Sequence, residues 1–254
     1  MTAAISTSGL VRDFGDFRAV DGLDLTVERG MFYGFLGPNG AGKSTTIKML
    51  TGLLAPSTGS IRILGGDITD AGEARQIKRK VGVVPENLAL FDNLTAREFL
   101  TFIGRMHGLP KATLTERREE LLSVMDLAGT DGKLTVEFSH GMKKKLSLAG
   151  ALIARPELLF LDEPFEGVDA VSARILRDTL QNYVQHGATV FLTSHVLEIV
   201  EKLCTHVGII AHGQLVFQSP MTDVRAVGTL EEKFLDAVGG GELTGHRLSW
   251  LDQT

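Results

Sequence analysis

The feature that most constrains this chain is an eight-residue segment with the pattern G-x-x-x-x-G-K-[ST]: Gly37, Pro38, Asn39, Gly40, Ala41, Gly42, Lys43 and Ser44. An apolar run at residues 31–36 predicts a strand before it, and apolar residues at helical spacing follow it. Glycines let the backbone wrap around a phosphate chain with its N–H groups pointing inward, and the helix N-terminus adds partial positive charge. We therefore expect Lys43 to reach the terminal phosphates and the Ser44 hydroxyl to ligate Mg²⁺.

Two acidic residues and a histidine follow other apolar runs. Asp162 and Glu163 come directly after residues 158–161, and His195 follows the run at residues 189–192. The carboxyl ends of parallel strands lie at one edge of a sheet, so we expect these side chains beside the phosphate loop. There Asp162 suits Mg²⁺, Glu163 suits a general base for attack on the γ-phosphate, and His195 suits a hydrogen bond to that phosphate.

The composition is that of an ordinary globular protein. Of 254 residues, 43% are apolar and 22% charged, which excludes a disordered chain, and the 29 glycines indicate tight turns or backbone close to a ligand. The single cysteine, Cys204, excludes an internal disulfide and a four-cysteine zinc site, and we expect it to be buried. No apolar run is long enough to span a bilayer, and the N-terminus lacks the layout of a secretion signal. We expect a cytosolic protein.

The order of the predicted elements indicates an α/β fold. Two or three N-terminal strands precede the phosphate loop, and a mostly helical insertion occupies residues 95–154. Thr95 with Glu98, and Thr113 with Glu116, match the capping box that begins a helix. After the insertion strands and helices alternate, which is typical of a parallel sheet with crossover helices.

In this order, the elements resemble the ATP-binding subunit of ATP-binding cassette (ABC) transporters over about residues 5–238. The segment Phe138-Ser139-His140-Gly141-Met142 precedes Asp162 and resembles the LSGGQ signature of that family, with His third and Met fifth. In the family this segment binds the γ-phosphate of ATP held by the other subunit, and Ser139 and Gly141 occupy matching positions. A helix start offers free N–H groups to an anion, although on its own Ser139 reads as a simple N-cap.

The resemblance also implies the domain organisation. It implies an ABC ATP-binding domain over residues 1–238, built as a P-loop NTPase core with a mostly parallel sheet, an N-terminal antiparallel β subdomain and an inserted helical subdomain. Residues 239–254 are then a glycine-rich linker and a tail that we do not interpret.

Further site residues follow from the resemblance. It implies that Phe14 stacks on adenine, although Phe14 by itself is equally consistent with a core residue. It also implies that Thr45 belongs to the ATP site and that Asp169 lies in a loop between the two subunits. Glu86 stands where the family usually has a glutamine that contacts Mg²⁺ and senses the membrane partner. Glu86 adds a carboxylate near the metal, and His140 adds a bulky titratable group at the dimer interface. Both departures resemble exporters of the ABC-2 type, which move drugs, lipids, polysaccharides or peptides.

The function that the resemblance implies is ATP hydrolysis that drives transport. Two subunits, either a homodimer or a pair with a related chain, would enclose two MgATP molecules. The ATPase would be cytoplasmic and peripheral at the inner face of the cell membrane, held there by an integral membrane permease. The helical region 95–154 and the loop after Glu86 are the expected docking surface.

Two other functions share parts of this pattern. An ABC-type ATPase acting on nucleic acid or ribosomes could use the basic runs Lys78-Arg79-Lys80 and Lys143-Lys144-Lys145, but most such runs are merely solvated. The net charge of −5 also counts against this function, so no nucleic acid partner is expected. A small-molecule kinase or GTPase would explain the phosphate loop alone, but the guanine motif Asn-Lys-x-Asp is missing.

Overall fold

The computed structural model describes residues 3–88 and 90–239, which form ten strands and nine α-helices. The strands are β1 (Ala3–Phe14), β2 (Phe17–Glu28), β3 (Phe32–Leu36), β4 (Thr58–Ile63), β5 (Gly66–Asp67), β6 (Val81–Val84), β7 (Leu158–Asp162), β8 (Thr189–Ser194), β9 (His206–Ala211) and β10 (Gln214–Pro220). The helices are α1 (Lys43–Leu50), α2 (Ala71–Lys78), α3 (Ala96–Met106), α4 (Lys111–Val124), α5 (His140–Leu152), α6 (Ala170–Gln185), α7 (Leu197–Leu203), α8 (Met221–Val227) and α9 (Leu230–Val238). Gly239 follows α9, and the rest of the predicted linker and tail, residues 240–254, lies outside the described residues.

The described strands form two sheets. The first is antiparallel with the order β2-β1-β4-β5, and the second has the order β10-β9-β3-β8-β7-β6. The second sheet is parallel except for β10, which is antiparallel to β9. The predicted fold, a mostly parallel sheet with an antiparallel β subdomain and a helical insertion, is confirmed, and the N-terminal subdomain begins with two strands joined by a two-residue turn.

The register of the parallel strands brings four strand ends to one edge. The cross-strand pairs at this edge are Leu36–Ser194, Asp162–Thr193 and Val84–Leu161. The segments after β3, β6, β7 and β8 therefore start side by side. Because β3, β7 and β8 are buried along their whole length, their apolar runs show no polar alternation.

Two apolar cores hold the parallel sheet. On one face, against the antiparallel sheet, the rings of Tyr33, Phe35 and Phe160 surround Phe191 with centroid separations of 5.6, 5.2 and 5.6 Å. The other face packs against helices, and this core includes Cys204, which is buried as predicted. Burial raises the pKa of the Cys204 thiol. In the described part of the chain, no helix is both long enough and apolar enough to pass through a bilayer.

The helical insertion consists of α3, α4 and α5. The capping box at the start of α3 is confirmed, because the Thr95 hydroxyl accepts from the Glu98 backbone N–H at 3.2 Å and the Glu98 carboxylate accepts from the Thr95 N–H at 2.9 Å. These two bonds satisfy N–H groups that an uncapped helix would leave free.

The second predicted capping box, Thr113 with Glu116, is wrong. Helix α4 begins two residues earlier, at Lys111, and the Pro110 carbonyl accepts the backbone N–H of Leu114 at 2.9 Å. Proline has a fixed φ and no N–H of its own, so it suits the entry to a helix. Thr113 consequently lies inside the first turn, where its hydroxyl is not the cap.

The description of residues 143–145 as a solvated basic run is wrong for two of its three members. Lys144 and Lys145 of α5 are only 2% and 4% exposed. Lys144 Nζ donates to the carbonyl oxygen of Glu163 at 2.8 Å, and Lys145 Nζ lies 3.7 Å from the carboxylate of Asp126. These two cations are bound inside the protein instead of being presented to a nucleic acid.

Candidate active site

The phosphate loop runs from the end of β3 to the start of α1. Its last residue, Gly42, has φ +107°, and a Cβ there would lie 2.5 Å from the carbonyl oxygen of Ala19. Only glycine fits, for backbone freedom and for space. The next residue, Lys43, folds its side chain back over the loop, where Nζ donates to the carbonyls of Gly37 and Pro38 at 2.7 and 3.2 Å. The loop thus places an ammonium group directly beside the free N–H groups of a helix start, which is an anion-binding arrangement.

The two acids at the end of β7 are held by one hydroxyl from β8. Thr193 Oγ1 donates to Asp162 Oδ1 at 2.6 Å and accepts the backbone N–H of Glu163 at 3.1 Å. All three residues are at least nine-tenths buried. The sequence-based prediction that both acids lie at the edge carrying the phosphate loop is consistent with this arrangement.

Glu163 and His195 form a close pair. Glu163 Oε2 lies 3.0 Å from His195 Nδ1 and also accepts the backbone N–H of His195 at 3.3 Å. The Glu163 backbone is left-handed, with φ +48°, which is unusual for a residue with a side chain. Burial raises the pKa of the Glu163 carboxyl, while His195 and Lys43 oppose that rise. A more basic carboxylate accepts a proton more readily, as a general base requires.

The His195 contact also limits the tautomers of the imidazole. An ionised carboxylate only accepts hydrogen bonds, so Nδ1 carries the proton when Glu163 is ionised. Nε2 is then the nitrogen left for another partner. When Glu163 is protonated, it can donate to Nδ1, and the Nε2 proton is then free for a phosphate oxygen.

A cavity of about 760 Å³ opens at the shared strand edge. The predicted site residues that line it are Gly37, Pro38, Asn39, Gly40, Gly42, Lys43, Ser44, Thr45, Glu86, Glu163 and His195. Segments that follow β3, β6, β7 and β8 all contribute to this wall. Residues more than 150 positions apart in the chain therefore surround one volume, large enough for a drug-sized ligand.

Other predicted residues lie outside the cavity wall. Phe14 is exposed at the β1–β2 turn, with the Arg12 guanidinium 4.5 Å from its ring centroid. Ala41 and Asp162 are both buried, and the Asp162 carboxylate accepts from Thr193. Asp169 caps α6, where its carboxylate accepts two backbone N–H groups that lower its pKa.

Four lining residues were missed by the sequence reasoning: Phe17, Ala19, Glu166 and Phe234. Phe17 is the cross-strand partner of Phe14, so the sequence offers two aromatic residues at one turn and no basis for choosing between them. Phe234 comes from α9, near the end of the described chain, and no local motif connects it with the phosphate loop.

The segment that resembles the family signature forms the start of α5. Ser139 is its N-cap, with Oγ accepting the backbone N–H of Met142 at 3.2 Å. His140 Nε2 lies 3.2 Å from the carbonyl oxygen of Glu166. A Cβ at Gly141 would lie 2.9 Å from Asp169 Oδ2 and from Ser172 Oγ, so a larger residue here would require these side chains to shift. None of residues 139–142 lines the cavity of its own chain.

The charges around the cavity fit a divalent cation beside a polyphosphate. Glu86, Glu163 and Glu166 line the cavity together with Lys43. Phosphates placed among carboxylates require additional positive charge. The donors are oxygens, which Mg²⁺ prefers, and Mg²⁺ commonly combines one or two protein oxygens with phosphates and water. The described residues contain no cluster of three or more His, Cys, Asp or Glu suited to a metal ion held by protein alone.

The sequence pattern of the ABC transporter family matches residues 20–166, more than half of the chain. The match includes the phosphate loop, the start of α5 and the acids after β7. The chain belongs to the ABC transporter family. As a member of this family it binds nucleotide and is an ATPase, with the fold that the family uses for ATP hydrolysis.

Two curated ABC relatives and a solved structure extend this result. The chain is 39% identical over 225 residues to the daunorubicin/doxorubicin resistance ATP-binding protein DrrA of Streptomyces peucetius, a match that covers 89% of this chain and 68% of the relative. It is 38% identical over 226 residues to the bacitracin transport ATP-binding protein BcrA of Bacillus licheniformis, covering 89% and 72%. A solved ATP-binding subunit of an ABC transporter superposes with a TM-score of 0.85 at 29% identity and covers 93% of this chain and 99% of that one.

Proposed function

We propose that this ABC ATPase hydrolyses MgATP between two subunits and thereby powers an ABC-2-type exporter through a separate membrane permease. The names of two relatives, which describe daunorubicin/doxorubicin resistance and bacitracin transport, support a role in transport. A related Nod factor export ATP-binding protein from Ralstonia nicotianae, 37% identical over 221 residues, agrees with export. The partner in the dimer is a second copy of this chain or a related subunit.

The observation that carries the dimer proposal is the position of the signature segment. Ser139 and Gly141 lie at the start of α5, and neither lines the cavity of the same chain. A helix start carries partial positive charge and N–H groups, so this one could bind an anion that lies outside the cavity of its own chain. A second subunit that turns this helix start toward the γ-phosphate would complete the cavity, and loss of that phosphate on hydrolysis would release the contact.

Within one cavity, different side chains bind the phosphates, accept the proton and hold the metal ion. Lys43 and the loop N–H groups bind the phosphates. Glu163 accepts a proton from the attacking water, and His195 orients Glu163 through Nδ1. For a hydrogen bond from His195 Nε2 to the γ-phosphate, the imidazole carries protons on both nitrogens. Ser44, Glu86 and Asp162 are the oxygen donors that would hold Mg²⁺, which when bound neutralises phosphate charge. Phe17, which lines the cavity, and Phe14 beside it in the β1–β2 turn are the aromatic candidates for stacking on adenine.

The proposed docking surface for the permease lies on the helical insertion. Pro85, Leu90, Phe99 and Ile103 line a groove of about 270 Å³ beside the segment that contains Glu86. Three large apolar side chains are exposed near it: Phe91, Phe102 and Met106. An apolar patch of this kind on a protein surface favours a protein partner. We assign it to a cytoplasmic segment of the permease, which would keep the ATPase at the inner face of the membrane.

The experiment that tests the proposed function is the Glu163→Gln substitution. The amide keeps the shape of the side chain but cannot take up the proton, so turnover should fall about 100-fold or more while ATP affinity is retained. The variant should then accumulate as an ATP-dependent dimer, measured by light scattering with and without ATP. Glu116→Gln, the same change at an exposed glutamate of α4 outside the cavity wall, is the control. Wild-type turnover by Glu163→Gln would refute the assignment of the base.

A further inference from the structure

Helix α5, which begins with the signature-like residues 139–142 and is called the signature helix below, contacts the residues that follow β7 in the same chain. The first part of α5 packs along the segment between β7 and α6. His140 Nε2 lies 3.2 Å from the Glu166 carbonyl, Gly141 packs closely against Asp169, and Lys144 lies one turn further along. The helix start that we propose contacts a partner's nucleotide thus packs against the segment that includes Glu163 and Glu166 of the chain's own cavity.

Of these contacts, the one made by Lys144 reaches Glu163, the proposed catalytic base. Its ammonium is buried, 2% exposed, and donates to the backbone carbonyl of Glu163 at 2.8 Å. A buried ammonium without a partner is strongly unfavourable, so the pair constrains both the lysine and the peptide that it binds. Burial lowers the pKa of Lys144, and the nearby carboxylates of Glu166, Glu163, Glu86 and Asp162 oppose that lowering.

The constrained peptide belongs to a residue with an unusual backbone. Glu163 is left-handed, with φ +48°, and this conformation persists only where the surroundings hold it. Two contacts fix the peptide groups on either side of its Cα: Thr193 Oγ1 accepts the Glu163 N–H, and Lys144 Nζ binds the Glu163 carbonyl. The side chain between them points to His195 and the cavity.

We propose that Lys144 is a positioning residue for Glu163, and that it couples the signature helix to the catalytic carboxylate of the same chain. The ammonium fixes the Glu163 carbonyl and so the direction of the carboxylate, without itself contacting nucleotide. A shift of α5 when the partner's ATP binds would move the ammonium and change how Glu163 is presented. This inference rests on the proposed role of Glu163 as the base.

The adjacent Lys145 offers a matched control. It is also buried, at 4% exposed, and lies on the same helix, but its Nζ is directed to Asp126, with 3.4 Å to the backbone carbonyl and 3.7 Å to the carboxylate. Replacing either lysine by methionine removes a buried charge of the same kind. Only the Lys144 change removes a contact to Glu163.

The test compares Lys144→Met, Lys144→Arg and Lys145→Met in the full chain by kcat, ATP affinity and melting temperature. We expect Lys144→Met to lower kcat about tenfold or more with ATP affinity nearly unchanged, because the lost contact is a charge-assisted hydrogen bond. Lys144→Arg should recover much of kcat, and Lys145→Met should keep kcat near wild type even if its melting temperature falls. The proposal is overturned if Lys144→Met retains wild-type kcat, or if both methionine variants lose kcat in proportion to their loss of stability.

A double variant separates this inference from the proposed function. If Lys144 acts through Glu163, adding Lys144→Met to Glu163→Gln should lower kcat no further than Glu163→Gln alone. A further tenfold loss in the double variant overturns the coupling and leaves the base assignment intact. Wild-type kcat for Glu163→Gln refutes the base assignment, whatever the Lys144 variants do.

Discussion

At the residue scale, the acids after β7 depend on a single buried hydroxyl. Thr193 Oγ1 donates to Asp162 at 2.6 Å and accepts the backbone N–H of Glu163 at 3.1 Å, and Thr193 is fully buried. Valine has nearly the same shape as threonine but no hydroxyl. In place of Thr193 it would leave a buried acceptor and a buried donor unpaired at the catalytic edge.

We therefore predict that Thr193→Val lowers the free energy of unfolding by about 1–3 kcal/mol and lowers kcat, because two buried polar groups lose their partner. Thr193→Ser retains the hydroxyl and should stay closer to the wild type in both quantities. Denaturant unfolding and steady-state ATPase assays measure the two effects. A valine variant with wild-type kcat and stability would contradict the role given to this hydroxyl.

The sequence predicts which residues line the catalytic site better than it predicts the contacts that fix their positions. Asp162, Glu163 and His195 follow apolar runs, and strand topology alone places such residues at one edge. The burial of Lys144 was not predictable, because its partner is the backbone carbonyl of Glu163, 19 positions away, and a carbonyl carries no signal in the sequence. A lysine that binds a distant carbonyl and a lysine in solvent look the same in a sequence.

At the element scale, the two predicted capping boxes differ in outcome because only one of them makes the cap with its side chain. Thr95 and Glu98 bond to each other's backbone at the start of α3, and the motif is therefore visible in the sequence. Helix α4 instead begins after Pro110, so the same residue pattern at Thr113 carries no cap. The difference comes from the proline, which favours an earlier helix start.

The two threonines give a direct comparison. Thr95→Ala should lower the free energy of unfolding by about 1 kcal/mol, because the N-cap hydroxyl is lost. Thr113→Ala should change it by only a few tenths of a kcal/mol, or stabilise slightly, since alanine has the higher helix propensity inside a turn. Denaturant unfolding of both variants measures the difference, and equal effects would contradict the assigned start of α4.

At the scale of the whole molecule, the proposed docking groove includes Pro85, the neighbour of Glu86 in the cavity wall, so a partner bound there would lie close to the site. Phe102→Asp should reduce the fraction of the full chain that sediments with membranes from cells that express the permease, since a charge disfavours burial in the docked state. Val227→Asp, at an exposed valine of α8, is the control and should not change that fraction. Sedimentation equal to the wild type for Phe102→Asp would place the docking surface elsewhere.

The central claim is that one nucleotide is held by two chains, and mixing two inactive variants tests it most directly. Lys43→Ala removes the phosphate-binding ammonium, whereas Ser139→Asp keeps an N-cap for α5 but places a negative charge where the partner's γ-phosphate would lie. Each variant should be nearly inactive by itself, and an equal mixture should recover about a quarter of the wild-type ATPase rate, because half of the dimers carry one intact site. Wild-type turnover by Ser139→Asp alone would mean that a single chain completes the site, and would contradict the claim.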